Sequence, residues 1–135
     1  MELTLTHTFL MVPDQAAALT FYRDVLGLEV RTDAELGPMR WLTVGPKSQP
    51  QLEIVLEYPE MNPAADAAEI RDLLARGLLR RTLIFATDDV DAVYEQLRAA
   101  GVEMTQEPTD QPYGVRDFGA RDPFGNDFRF SETTG

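Results

Sequence analysis

The sequence predicts an α+β protein made of two βαβββ halves, and three observations lead to this fold class. Residues 4–30 and 81–105 each run from an apolar strand through a capped helix to a second strand. Each of these segments is followed by two further strand-like runs joined by a turn. The glycines that end the two helices, Gly27 and Gly101, are 74 positions apart. One helix on four strands encloses little core, so we expect the two copies to pack together.

The first half opens with a strand over about residues 5–12, and a helix follows it. Asp14 is expected to cap this helix, because its carboxylate accepts free N–H groups of the first turn. Gly27 suits the left-handed position after the last helical turn. The helix has an apolar stripe made of Leu19, Tyr22 and Leu26. The later strands are expected in "LEVRT", "MRWLTVG" and "QLEIVLEY", with the turn "PKSQP" between the last two.

The second half repeats this order. A strand over residues 82–87 leads to a helix that either Asp88 or Asp89 caps and that Gly101 ends. Its apolar stripe consists of Val90, Val93, Tyr94 and Leu97. The later strands are expected in "VEMT", "VRDFGARD" and "NDFRFSE", the last two around the turn "PFGN".

A third helix is predicted between the halves, within residues 58–80. Asn62 is the expected N-cap and Pro63 the first helical residue, and Gly77 ends the helix. Its apolar face is narrow, so it is either an amphipathic linker or a cover for a cavity mouth or a partner.

The length and composition of the chain restrict its domain organisation and its possible partners. The 135 residues suit one domain, with module 1 at about 1–58, the linker helix at about 59–80 and module 2 at about 81–135. The net charge of −11 disfavours binding to nucleic acid. The negative charge either keeps the protein in solution or attracts a cationic ligand. No apolar run reaches membrane-spanning length and no basic leader begins the chain, so we expect a cytoplasmic protein without a membrane partner. The chain has no cysteine for thiolate chemistry.

Four stretches in this order carry a resemblance to a known family. They are "HTFLMVPDQAAALTFYRDVLGLEV", with its helix end "FYRDVLGLEV", then "LRAAGVEM" and "RDPFGNDFRF". The chain resembles the vicinal oxygen chelate superfamily of glyoxalases, bleomycin-resistance proteins and extradiol dioxygenases. The resemblance implies that the two modules form a partly open, barrel-like mixed sheet around a cavity, with the helices outside, and that the protein is a homodimer.

The resemblance also implies where metal ligands would lie, one on the inner face of each of four strands. His7 matches the first position, and Glu53 matches the second, with Glu57 as the rival. The third and fourth positions hold Thr82, a poor ligand, and Arg129, which stays positively charged. We therefore favour no cofactor, and the alternative is a divalent metal on His7 and Glu53.

Each remaining candidate residue has a structural and a functional interpretation. Arg129 either pairs with Glu53 or binds an anionic or carbonyl group of a ligand. His7 is either a hydrogen-bonded cavity residue or a general base, and Trp41 either fills the core or stacks on a planar ligand. The "PYG" segment is either a tight turn or a source of ligand contacts, which Tyr113 and Arg116 would make.

Three functions remain open from the sequence. The first is a small-molecule binding protein for a drug or metabolite, of bleomycin-resistance type, without a complete metal site. The second is a metal-dependent enzyme of the lactoylglutathione-lyase or dioxygenase type. The third is a metal-free enzyme in which His7, Glu53 or Tyr113 acts as acid or base.

Overall fold

A computed structural model describes residues 1–133, and over this range the chain forms two four-stranded mixed sheets with accompanying helices. This confirms the α+β class and the duplicated βαβββ order. Neither sheet closes into a barrel. The chain divides into two compact units, Met1–Leu79 and Arg80–Gly135, so that the connecting helix belongs to the first. The prediction that the whole chain acts as one domain stays a prediction.

The first unit contains four strands. Its elements in order are β1 (His7–Met11), α1 (Gln15–Leu19) with a π-helical continuation (Thr20–Val25), β2 (Glu29–Leu36), β3 (Met39–Gly45), β4 (Glu53–Glu57), a 3-10 turn (Pro59–Met61) and α2 (Ala64–Ala75). The strand order is β1-β4-β3-β2, with β1 parallel to β4 and the other pairs antiparallel. A bulge in β2 separates Val30 from Thr32.

One face of this first sheet carries apolar residues that are almost completely buried, and α1 packs against β4. Burial of such side chains is the main favourable term in folding, at roughly 25 cal/mol per Å² of apolar surface. The buried residues are Leu10, Leu42, Val44, Ile54 and Leu56 on the sheet, and Ala18, Leu19 and Tyr22 on the helix.

The second unit repeats the pattern with an aromatic core. Its elements are β5 (Thr82–Ala86), α3 (Val90–Ala99), β6 (Glu103–Asp110), β7 (Val115–Arg121) and β8 (Asp127–Thr133), in the sheet order β5-β8-β7-β6. Phe118 stacks on Phe130 with ring centroids 4.9 Å apart, and Phe85 stacks on Phe130 at 5.6 Å. Tyr94 of α3 meets the edge of Phe118 at 5.4 Å, so the helix and the sheet share one aromatic cluster.

The predicted helix ends of both halves are confirmed. The Asp14 carboxylate accepts a hydrogen bond from the Ala16 backbone N–H at 2.8 Å. Asp89, rather than Asp88, caps α3. Gly27 and Gly101 have φ of 81° and 83°, the left-handed conformation that favours glycine.

The start of the connecting helix differs from the prediction. α2 begins at Ala64, with Pro63 at the N-cap and no side-chain capping bond. The Asn62 amide instead donates to the Glu57 carboxylate at 3.3 Å and to the Pro59 carbonyl at 3.2 Å. The preceding 3-10 turn directs this side chain back toward β4 and away from the helix. No helix within residues 1–133 combines the length and the apolarity that crossing a membrane requires.

Candidate functional site

The face of the first sheet opposite α1 brings His7 and Glu53 together. The parallel pairing of β1 with β4 sets His7 opposite Glu53 and Met11 opposite Glu57. His7 Nε2 lies 3.2 Å from Glu53 Oε2. Glu57 shares this face, as expected, but its carboxylate is bonded to Asn62. Glu53 is therefore the glutamate in contact with His7.

Two threonines fix the Glu53 carboxylate. Thr43 and Thr32 both donate their hydroxyl protons to Glu53 Oε1, at 2.7 and 2.8 Å. These bonds, from Thr43 first and Thr32 second, hold the pKa of Glu53 below its usual value, with help from the charges of His7 and Arg31 and against partial burial. Glu53 is therefore an anion with most of its hydrogen-bonding capacity already used.

The two ring nitrogens of His7 are both engaged. Because Glu53 is ionised and can only accept, a neutral His7 carries its proton on Nε2 and leaves Nδ1 as an acceptor. The Thr6 hydroxyl lies 2.9 Å from Nδ1 and is then the donor. This carboxylate–imidazole–hydroxyl chain was not predicted, because Thr6 belongs to no motif.

Aromatic rings lie beside this polar group. The Trp41 ring is 5.9 Å from the ring of Phe9, edge to face, and 6.4 Å from the imidazole of His7. Trp41 is half-buried, and Phe9 is 48% exposed. Trp41 thus lies next to rings that a planar ligand could contact.

The corresponding face of the second sheet contains an ion pair. Arg129 Nη2 lies 3.0 Å from the carboxylate of Asp117, which is buried with 4% of its surface exposed. Arg129 Nη2 also donates to Gln106 Oε1 at 3.0 Å, and Gln111 donates to Asp117 at 2.9 Å. Within its own unit, then, Arg129 has Asp117 and Gln106 as partners, and its pairing with Glu53, one of the two alternatives for Arg129, stays a prediction.

The pKa of Asp117 is held below its usual value. Burial alone would raise it, but the hydrogen bonds from Gln111 and Arg129, the charge of Arg129 and a weaker bond from Gln106 outweigh burial. The sequence did not single out Asp117, because an aspartate in the strand-like run "VRDFGARD" has the same pattern as a polar residue on the solvent-exposed face of a strand.

The strand registers test whether these residues fit a metal. His7 is opposite Glu53, as Thr82 is opposite Asp127, so Arg129, two residues after Asp127, occupies the position equivalent to Val55. If Arg129 stands at the fourth ligand position, the register therefore puts Val55, rather than Glu53, at the second. Neither the isopropyl group of valine nor a guanidinium is a metal ligand. Within residues 1–133 no three His, Asp or Glu side chains are grouped to hold an ion. The donor set does not fit the metal that the resemblance implies.

Arg116 is paired with acidic side chains, and Tyr113 lies in an exposed turn. The Arg116 guanidinium bonds to Asp91 at 2.9 Å and to Asp110 at 3.2 Å, and these carboxylates raise its pKa. Its donors are thus largely occupied by carboxylates of its own module. Tyr113 is 70% exposed in the turn whose Gly114 has φ of 89°.

The chain is similar to known proteins over most of its length. A family model described as Glyoxalase/Bleomycin resistance protein/Dioxygenase superfamily matches residues 4–130. YurT, an uncharacterized protein of Bacillus subtilis (strain 168), is 36% identical over 103 residues, which are 76% of this chain and 78% of that protein.

Two solved structures are similar over nearly their whole length. The crystal structure of UcmS2 has a TM-score of 0.83 and 40% identity, covering 97% of this chain and 98% of that one. TnmS3, described as an antibiotic binding protein from Streptomyces sp. CB03234, has a TM-score of 0.75 and 29% identity, covering 98% of this chain and 97% of that one.

Proposed function

Because the chain belongs to the Glyoxalase/Bleomycin resistance protein/Dioxygenase superfamily, we propose that it is a small-molecule binding protein that captures a drug or metabolite without a complete catalytic metal site. The observation that carries this proposal is the aromatic group of Trp41, Phe9 and His7 beside a carboxylate that is already hydrogen-bonded. Binding sites for small molecules combine apolar and aromatic surface with a few fixed polar groups. The description of TnmS3 as an antibiotic binding protein supports the same class of ligand.

The residues at the ligand positions support a metal-independent function. Glu53 would have to give up bonds to two threonines or to His7 to bind an ion. Arg129 and its counterpart Val55 offer no ligand atom, and Thr82 offers only a hydroxyl. The donors that remain are too few for the three or four protein ligands of a typical site.

The runner-up is a metal-dependent lyase or dioxygenase of glyoxalase type, favoured by the contact between His7 and Glu53. A third candidate is a metal-free enzyme in which His7, Glu53 or Tyr113 acts as acid or base, and the contact of His7 with Glu53 and with the Thr6 hydroxyl favours His7 for this role. Both alternatives predict turnover of the bound molecule, whereas the binding protein releases it unchanged.

Metal content separates the first two candidates. Untagged protein is analysed by mass spectrometry before and after incubation with zinc, nickel, manganese and iron(II). We expect no retained metal, and the same result for His7→Ala. Near-stoichiometric metal that disappears in His7→Ala would contradict the proposal and favour the lyase or dioxygenase.

Ligand capture is tested with Trp41, the only tryptophan of the chain. Planar aromatic probes such as 2-acetylnaphthalene are expected to quench its fluorescence with saturation. By calorimetry, Trp41→Ala should weaken binding roughly 5- to 150-fold, since burying an aromatic ring contributes on the order of 1–3 kcal/mol. Leu78→Ala, at a residue 59% exposed elsewhere in the first unit, is the control and should bind normally.

A homodimer and a cytoplasmic location complete the proposal. Exposed apolar side chains on strands, Phe9 at 48%, Leu36 at 53% and Ile84 at 69%, support burial against a second copy. Sedimentation equilibrium should give twice the chain mass, and a monomer at micromolar concentration would refute the dimer. Cell fractionation tests the location.

A further inference from the structure

The ion pair on the second sheet carries an inference about which ligands the protein selects, and it rests on the proposed function. We propose that Asp117 is a specificity-determining residue, which makes the Arg129 site accept an uncharged hydrogen-bond acceptor, such as a carbonyl oxygen, in preference to a carboxylate. An arginine on a binding face would ordinarily suggest an anionic ligand. The neighbours of Arg129 reverse that preference.

Two of the three guanidinium nitrogens of Arg129 already have hydrogen-bond partners. Arg129 Nε and Nη2 both face Asp117, at 3.3 and 3.0 Å, and Nη2 also donates to Gln106. Nη1 has no hydrogen-bond partner among the residues that the structure describes. The Arg129 side chain is 32% exposed. One edge of the guanidinium is thus left for a ligand.

Gly119 makes this arrangement possible. It pairs with Arg129 across β7 and β8, and a Cβ added there would lie 3.2 Å from Nη1. A side chain at this position would collide first with Thr105 Oγ1 and would also crowd Nη1, which would have to shift by a few tenths of an ångström. The fixed position of the guanidinium therefore depends on the backbone as well as on the ion pair.

The charge balance decides the class of ligand. Asp117 is an anion buried beneath Arg129, so the pair is neutral as a unit. A ligand carboxylate at Nη1 would be attracted by Arg129 and repelled by Asp117 only a few ångströms further away, while it loses its own hydration. A carbonyl oxygen loses far less hydration and gains the same hydrogen bond. The pair therefore favours the uncharged acceptor.

Two probes of the same shape test this inference: 2-acetylnaphthalene, with a ketone, and 2-naphthoate, with a carboxylate. Their dissociation constants are measured by calorimetry, and contact with Arg129 is followed through the arginine Nε–H resonances in NMR, assigned with Arg129→Lys. We expect wild-type protein to bind the ketone about tenfold more tightly than the carboxylate. Asp117→Asn should shift the ratio toward the carboxylate by about tenfold or more, because it leaves Arg129 without its counter-charge.

Asp127→Asn is the matched control. It removes the same charge from the same pair of strands, but Asp127 pairs with Arg121 at 3.0 Å, whereas the ion pair of Arg129 is with Asp117. Its ketone-to-carboxylate ratio should equal that of the wild type. Circular dichroism establishes that each variant is folded.

The outcomes separate this inference from the proposed function. Binding of both probes with the same ratio in wild type and Asp117→Asn would overturn the role of Asp117 and leave the binding protein intact. If Asp117→Asn does not fold, tighter binding of the carboxylate than of the ketone by wild-type protein would overturn it equally. A lack of binding of either probe would overturn both proposals.

Discussion

The Asp117–Arg129 pair yields a prediction of stability that can be worked out from its geometry. Replacing Arg129 with leucine leaves a buried carboxylate without its counter-charge. At 3.0 Å and an effective dielectric constant of about 20, the Coulomb attraction is roughly 5 kcal/mol. Solvent screening at the partly exposed guanidinium and the remaining bonds from Gln111 and Gln106 reduce the loss. We expect Arg129→Leu to lower the free energy of unfolding by about 2–3 kcal/mol at pH 7.

The pH dependence identifies the cause of this loss. The depressed pKa of Asp117 means that the pair contributes stability above the unfolded pKa of about 3.9, and that this contribution is lost as pH falls through the folded pKa. In Arg129→Leu, burial dominates and raises the pKa of Asp117. The gap in stability between wild type and variant should therefore narrow as pH falls from neutral, and it should close only as pH falls through the depressed pKa of Asp117 in the wild type.

Urea unfolding followed by circular dichroism measures the gap at several pH values. The double variant Asp117→Asn/Arg129→Leu should be more stable at pH 7 than Arg129→Leu alone, because it contains no buried unpaired charge. A loss below about 0.5 kcal/mol at pH 7, or a loss of the same size at pH 3, would refute the electrostatic account. The second result would attribute the loss to packing instead.

Two further predictions concern the backbone. A Cβ in Gly45→Ala would collide with the Leu52 carbonyl oxygen and lie 3.0 Å from Arg31 Nε, so we expect a loss of about 1–3 kcal/mol in urea unfolding, and wild-type stability would contradict the close approach. Asp122→Ala removes bonds from the backbone N–H of Asn126 at 2.8 Å and from its amide at 2.9 Å, and should lower the free energy of unfolding by about 2 kcal/mol. An unchanged urea midpoint in that variant would show that the turn holds without the carboxylate.

Features fixed by local chemistry were predictable from the sequence. Asp14 and Asp89 cap their helices because a short carboxylate after an extended residue reaches the free N–H groups of the first turn, whatever the rest of the chain does. Gly27 and Gly101 were also predictable, because the position after the last helical turn has a positive φ that glycine adopts most easily. Asn62 shows the limit of such rules, because a 3-10 turn upstream redirected a side chain with a good capping propensity.

The surroundings of Glu53 were not predictable, because they depend on one inserted residue. Without the bulge after Val30, the register of β2 and β3 would set Arg31 opposite Thr43. With the bulge, Thr32 takes that place and its hydroxyl reaches Glu53. The displaced Arg31 instead donates to the carbonyls of the loop that follows β3. Sequence patterns do not reveal a bulge of this kind, so Thr32 could not be selected beforehand.

The strand registers also show that equivalent positions of the two halves hold residues of different chemistry. Since Val55 and Arg129 occupy equivalent places, the residues opposite them on the neighbouring strands, Thr43 and Gly119, are equivalent too. Two residues before these lie Trp41 in the first half and Asp117 in the second. One backbone position thus holds an aromatic ring in one sheet and a buried carboxylate in the other. The two sheets therefore differ in what each can offer a ligand: the first has exposed aromatic surface, and the second has a guanidinium held by a buried carboxylate.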